Sequence, residues 1–123
     1  MTEKMTHRLR AELKRVGDHG GRGATDAEIA LGNGPIRQRL RASILALAEH
    51  RGPESSICPS DAARAVGGQE WRALMPAARE LARELAAAGD VVITQGGEVL
   101  RPGGTWSGPI RITTRRTGDT DVR

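Results

Sequence analysis

At 123 residues the chain has room for one domain of ordinary size and not for two. Only 37% of its residues are hydrophobic, with two Trp and no Phe or Tyr, so any core must be built from Leu, Ile, Val, Ala and Met. The formal charge of +4 is almost all Arg and favours an acidic partner such as nucleic acid, while a single cysteine, Cys58, excludes an internal disulfide.

Residues 3–16 carry Met5, Leu9, Leu13 and Val16 at spacings of four, four and three, the stripe of a short amphipathic helix. His7, Arg8, Arg10, Lys14 and Arg15 fill much of its remaining surface. A lone helix of this length is marginal in water, so it packs on the domain, packs on a second copy to make a homodimer, or frays. GDHGGRG (17–23) reads as a flexible linker. Thr25 and Glu28 form a capping-box pattern that starts a brief helix near Asp26, and Gly32-Asn33-Gly34-Pro35 stops it.

Pro35 suits the first position of the next helix, where Ile36, Leu40, Ile44 and Leu47 recur at four, four and three before Arg51-Gly52-Pro53 ends it. Ser55–Cys58 reads as a small extended segment. Pro59 opens a second helix that runs to about Val66, closed by Gly67-Gly68. A third helix spans Glu70 to Ala88, with Trp71, Leu74, Ala78, Leu81 and Leu85 on one face and Gly89 at its end. Pro76 interrupts that helix, which places its true start near Pro76 after an irregular turn at Trp71–Met75.

Val91–Gln95 is a β-branched run, Gly96-Gly97 a two-residue turn, and Glu98–Arg101 the returning strand. Trp106 and Gly108–Ile112 give a last extended segment. The order predicts an α+β fold, a winged helix-turn-helix of three helices and a β-hairpin wing with an N-terminal helical extension. Residues 1–34 form the extension and linker, 35–112 the winged-helix domain, and 113–123 a disordered tail.

Four blocks in order, SICPS (Ser56–Ser60), WRALMP (Trp71–Pro76), VVITQGG (Val91–Gly97) and GPIRI (Gly108–Ile112), resemble a small bacterial family of domains of unknown function. Its members are similar to winged-helix proteins and are sometimes labelled transcription factors by structural analogy. The resemblance spans about residues 36–112. It implies the fold and carries no established activity.

Arg72, Arg79 and Arg83 are separated by seven and four residues, which places them within about 40° of one another on a helix. Such a stripe suits a DNA groove, since Arg grips phosphates and reads guanine O6/N7. The plainer reading is the charged outer face of any amphipathic helix, and Glu80 and Glu84 flank this one. Ser60, near a helix N-terminus, and Arg64 would set the second helix on phosphates, and Arg101 would support from the wing side. The wing tip, Gln95–Glu98, has no Lys or Arg.

Cys58 reads as a small buried residue, and Trp71 and Trp106 as packing residues in preference to base-stacking ones. His7, His19 and His50 show no metal spacing, the glycine clusters lack the features of phosphate loops, and no carboxylate pair stands out. The expectation is a cytoplasmic DNA-binding protein, free of cofactor and metal, that regulates transcription and is not an enzyme. The N-terminus lacks a secretory h-region and no run reaches a membrane span. The alternative is a winged-helix protein-interaction module; a repair reader or enzyme is the third.

Overall fold

The computed structural model describes residues 2–21 and 23–114. Among the described residues, five α-helices, one 3₁₀ segment and three short strands follow one another. They are α1 (Thr2–His19), α2 (Ala24–Leu31), α3 (Ile36–Arg51), α4 (Pro59–Gly67), α5 (Met75–Ala87), β1 (Val91–Gln95), β2 (Glu98–Val99) and β3 (Arg111–Thr114). The 3₁₀ segment, Gly68–Leu74, links α4 to α5.

α3 is the central helix. Leu40, Ala42, Ser43, Ile44, Ala46, Leu47 and Ala48 are buried on it, a wider face than the four-residue stripe predicts. Ile36, expected inside, is 47% exposed because Pro35 caps the helix in an extended conformation and Ile36 is its first residue. Ser43, fully buried, donates from its hydroxyl to the Ala62 carbonyl and so ties α3 to α4 without leaving a polar atom unmet.

The apolar stripe of α1 packs on the domain. Leu9, Leu13 and Val16 join the same core as α3, α4 and the sheet, and α1 lies against α2, α3, α4 and the 3₁₀ segment. Glu12, on the flank of that stripe, is only 8% exposed and accepts both Arg51 Nε and Nη2, at 3.1 and 3.0 Å. That bond holds the Arg51 guanidinium above the ordinary arginine range, against the opposing effect of burial. Arg51 also donates to the Ser56 carbonyl and faces Asp61 at 3.6 Å, so one guanidinium joins α1, α3 and the start of α4.

Two local expectations are corrected. The predicted linker is shorter, because α1 continues through Gly17 and Asp18 to His19. Gly23 at its far end is close-packed: a Cβ there would come within 3.0 Å of Val16 Cγ1. The capping box at Thr25 does not form. α2 starts at Ala24 with Gly23 as its cap, the Ala27 N–H donating to the Gly23 carbonyl, and Thr25 lies inside the helix, exposed.

α4 begins as its sequence requires, with Pro59 in its first turn and the Asp61 carboxylate accepting the Cys58 N–H at 3.0 Å. The irregular turn before Pro76 is the 3₁₀ segment, in which Trp71 is buried, and Pro76 falls in the first turn of α5, where a missing N–H is harmless. α5 ends with Gly89 N–H on the Ala86 carbonyl and Asp90 N–H on the Leu85 carbonyl, the paired bonds of a Schellman motif.

The strands form a sheet of order β2-β1-β3, all antiparallel. Gly96 and Gly97, with φ of 59° and 89°, make the tight turn into β2. β2 is shorter than predicted, pairing only Thr94 with Val99 and Gln95 with Glu98. The main partner of β1 is β3, in register Val91↔Thr114 to Thr94↔Arg111, and Ile57 bridges to Ile112 on the far edge. Thr113 and Thr114, assigned to the tail, therefore belong to the sheet; the rest of that tail lies outside the described residues. The inward positions Val91, Ile93, Ile110 and Ile112 are buried, and the sheet packs on α3 and α5.

The result is a mixed α+β fold in a winged helix-turn-helix arrangement with a helical N-terminal extension. Its wing is the whole excursion from residue 96 to 110, not the Gly96-Gly97 hairpin alone.

Candidate nucleic-acid interface

The structure does not bring Arg72, Arg79 and Arg83 into one stripe. Arg72 lies on the 3₁₀ segment, a separate element from α5. Arg79 Nη1 donates to the Gly108 carbonyl at 3.1 Å. Arg83 Nη1 donates to the Pro102 and Gly104 carbonyls, and its guanidinium lies 4.0 Å from the centre of the Trp106 ring. Trp106 in turn donates its indole N–H to the Arg101 carbonyl at 2.9 Å. Both arginines of α5 therefore hold the wing against the helix. Gln95 adds to the clamp through the Ser107 and Pro109 carbonyls. The Arg101 side chain remains exposed.

Cutting this clamp has a local consequence. Arg83→Ala removes two charge-assisted bonds and one cation–π contact from the wing, together worth about 1–3 kcal/mol at a partly exposed site. Amide exchange of residues 100–108 is expected to accelerate with little change in α3 or α4. Unchanged exchange there would show that the wing is held by other contacts.

The outward face of α5 carries Pro76, Glu80, Glu84 and Ala87, all exposed. Arg37 of α3 bridges the two acids, at 3.1 Å to Glu80 and 2.8 Å to Glu84. The helix expected to face DNA thus presents two carboxylates, already paired, and no free guanidinium.

Two other guanidinium groups lie on α4 and on the 3₁₀ segment. Arg64, in the last turns of α4, sits 4.1 Å from the centre of the Trp71 ring, and Arg72 sits 4.6 Å from the same ring. Among the described residues neither makes an ion pair with a carboxylate, Glu70 on the same segment included. The reason is local: the 3₁₀ segment turns Trp71 inward, to 8% exposure, and its ring becomes the platform for both side chains. Arg64 Nε and Trp71 Nε1 are buried without a hydrogen-bond partner, as is Thr6 Oγ1 of α1. Ser60 is half-buried in the first turn of α4, one helical turn before Arg64. Of the six predicted residues, Arg64 and Arg72 each lie over the Trp71 ring, Ser60 shares a helix with Arg64, Arg79 and Arg83 anchor the wing from α5, and Arg101 lies within the wing.

Both tryptophans act as packing residues, Trp71 under two guanidinium groups and Trp106 under one. Cys58 is half-buried, less enclosed than expected, and accepts a bond from Arg111 Nη1.

The cationic outer face of α1 went unassigned as a contact surface, although the charge pattern beside the Leu9–Leu13–Val16 stripe contains it. Lys4, His7, Arg8, Lys14 and Arg15 are exposed there. Arg10 bends back and donates to the Ala65 carbonyl at 2.9 Å, which sets α1 beside Arg64. No helix among the described residues is long and apolar enough to cross a membrane.

Residues 37–115 match a family described as Protein of unknown function (DUF3253). The match opens one residue later than the resemblance read from the motif blocks and closes three residues later. No curated protein matches the chain.

Proposed function

The chain belongs to the DUF3253 family, and from that premise we propose that it is a small DNA-binding protein that serves in transcriptional regulation and catalyses no reaction. One observation carries the reading. Arg64 and Arg72 converge on the Trp71 ring with no carboxylate partner among the described residues. Each is a cation with no carboxylate paired to it, so a phosphate brought to either gains a charge-assisted contact without breaking an existing ion pair. A phosphate is the anion that bidentate guanidinium geometry suits best. Ser60, at the start of α4, supplies a neutral donor on the same helix. Arg79 and Arg83 contribute indirectly, by fixing the wing.

The test is a titration of a duplex oligonucleotide, followed by fluorescence anisotropy at ~50 and ~200 mM salt. Wild type is expected to bind, with affinity falling steeply with salt. Arg64→Ala/Arg72→Ala is expected to weaken binding at least tenfold and to flatten the slope of log K against log salt by about 1.8, two contacts at about 0.9 each. A wild type silent at ~50 mM salt, or a double variant that binds like wild type, removes the proposal.

One observation favours a second reading, a protein-interaction module that does not bind DNA. The helix that enters the major groove in helix-turn-helix proteins here shows Glu80 and Glu84 to solvent. That reading expects no duplex binding at either salt concentration.

A further inference from the structure

We propose that the outer face of α1 is a second nucleic-acid contact surface, bearing on the phosphate backbone of a duplex whose first contact is the Arg64–Arg72 pair. The inference rests on the DNA-binding reading above and extends it to an element outside the family match, which begins at residue 37.

Lys4, His7, Arg8, Lys14 and Arg15 are all exposed. At ~100° per residue they lie within an arc of about 120°, opposite the buried Leu9, Leu13 and Val16. Asp18, in the last turn, is the one exposed acid on that face among the described side chains, since Glu12 points inward to Arg51. None of the four formal cations makes an ion pair with a described carboxylate. A solvated helix face of ordinary kind mixes the two signs evenly; here four formal cations face one described acid, Asp18.

Position supports the same conclusion. α1 is fixed in the fold by its core stripe and by the Glu12–Arg51 pair, so the cations sit on a rigid support. The Arg10 bond to the Ala65 carbonyl ties the flank of α1 to α4, one residue from Arg64. Lys4 to Arg15 extends about 16 Å along the helix, roughly the axial length of five base pairs. An exposed cationic row of that length fits a polyanion with regularly spaced charges. It reads no sequence, since long flexible Lys and Arg side chains on phosphates position the protein without discriminating bases.

The experiment uses the full chain carrying Lys4→Gln, Arg8→Gln, Lys14→Gln and Arg15→Gln together, with its unfolding midpoint measured first to confirm the fold. On the duplex, the slope of log K against log salt is expected to fall by about 2–3.6, and affinity at ~50 mM salt by at least tenfold. A slope equal to wild type overturns the inference, and if Arg64→Ala/Arg72→Ala still weakens binding, the DNA-binding reading survives alone. Loss of binding in the α1 variant with none in Arg64→Ala/Arg72→Ala upholds the α1 surface and overturns the Trp71 site. Binding of wild type to vesicles rich in anionic lipid, with none to the duplex, overturns both.

Discussion

Leu13→Ala is expected to lower the unfolding free energy by about 3–5 kcal/mol. Leu13 is fully buried, 0% exposed, in the middle of the α1 stripe. Truncation to Ala removes the transfer free energy of three carbons and leaves a cavity between α1 and the helices it packs on. The helices α1 lies against, α2 and α4, bury Ala27, Ala30, Ala62, Ala63 and Ala65, which carry no flexible side chain to fill such a cavity. A domain of this size has about 5–15 kcal/mol of total stability, so the loss is a large fraction of the whole. Urea unfolding followed by circular dichroism measures the change. A loss below about 1 kcal/mol, the range of an exposed site, would show that α1 is a loosely attached appendage.

Arg51→Ala is expected to cost about 3 kcal/mol, in the range seen when one partner of a buried ion pair is removed. Glu12 is enclosed and takes two bonds from Arg51; His50 Nε2, at 3.8 Å, is too distant to replace them. Without Arg51 the carboxylate is left in a poorly solvated place, and the Ser56 carbonyl loses a donor as well. Replacing both partners with apolar residues, as in Glu12→Leu/Arg51→Met, is expected to recover most of the loss, because no unpaired charge remains. A double-mutant cycle by urea unfolding gives the coupling. Additive effects of the two single substitutions would show that the pair contributes no joint stabilisation.

The helices were legible where their signals are local. Pro35, Gly52, Pro59 and Gly89 bracket α3, α4 and α5 because each acts within its own turn of backbone. Pro76 forecast the break that the 3₁₀ segment makes. β3 was not legible as the main partner of β1, since pairing across residues 96–110 depends on tertiary contacts that alternation along a single strand does not encode. Glu12 escaped notice for a related reason: a carboxylate on the flank of a stripe reads as solvated until a guanidinium from α3 closes over it. The site was partly legible. Residue type pointed to arginine, but a guanidinium on a long arm has many acceptors within reach, and the wing carbonyls of Pro102, Gly104 and Gly108 claimed Arg83 and Arg79. Helical periodicity places Cα atoms and says nothing of where such arms end. That limitation separates the three arginines of one predicted stripe into two that anchor the wing and one, Arg72, that joins Arg64 on Trp71.

The most direct test of where nucleic acid binds is an amide chemical-shift map of the full chain titrated with a duplex oligonucleotide at ~50 mM salt. The account predicts the largest shifts along α1, at the end of α4 and through Gly68–Leu74, with the outward face of α5 little changed. Shifts centred on Pro76–Ala87, or none at saturating duplex, would contradict it.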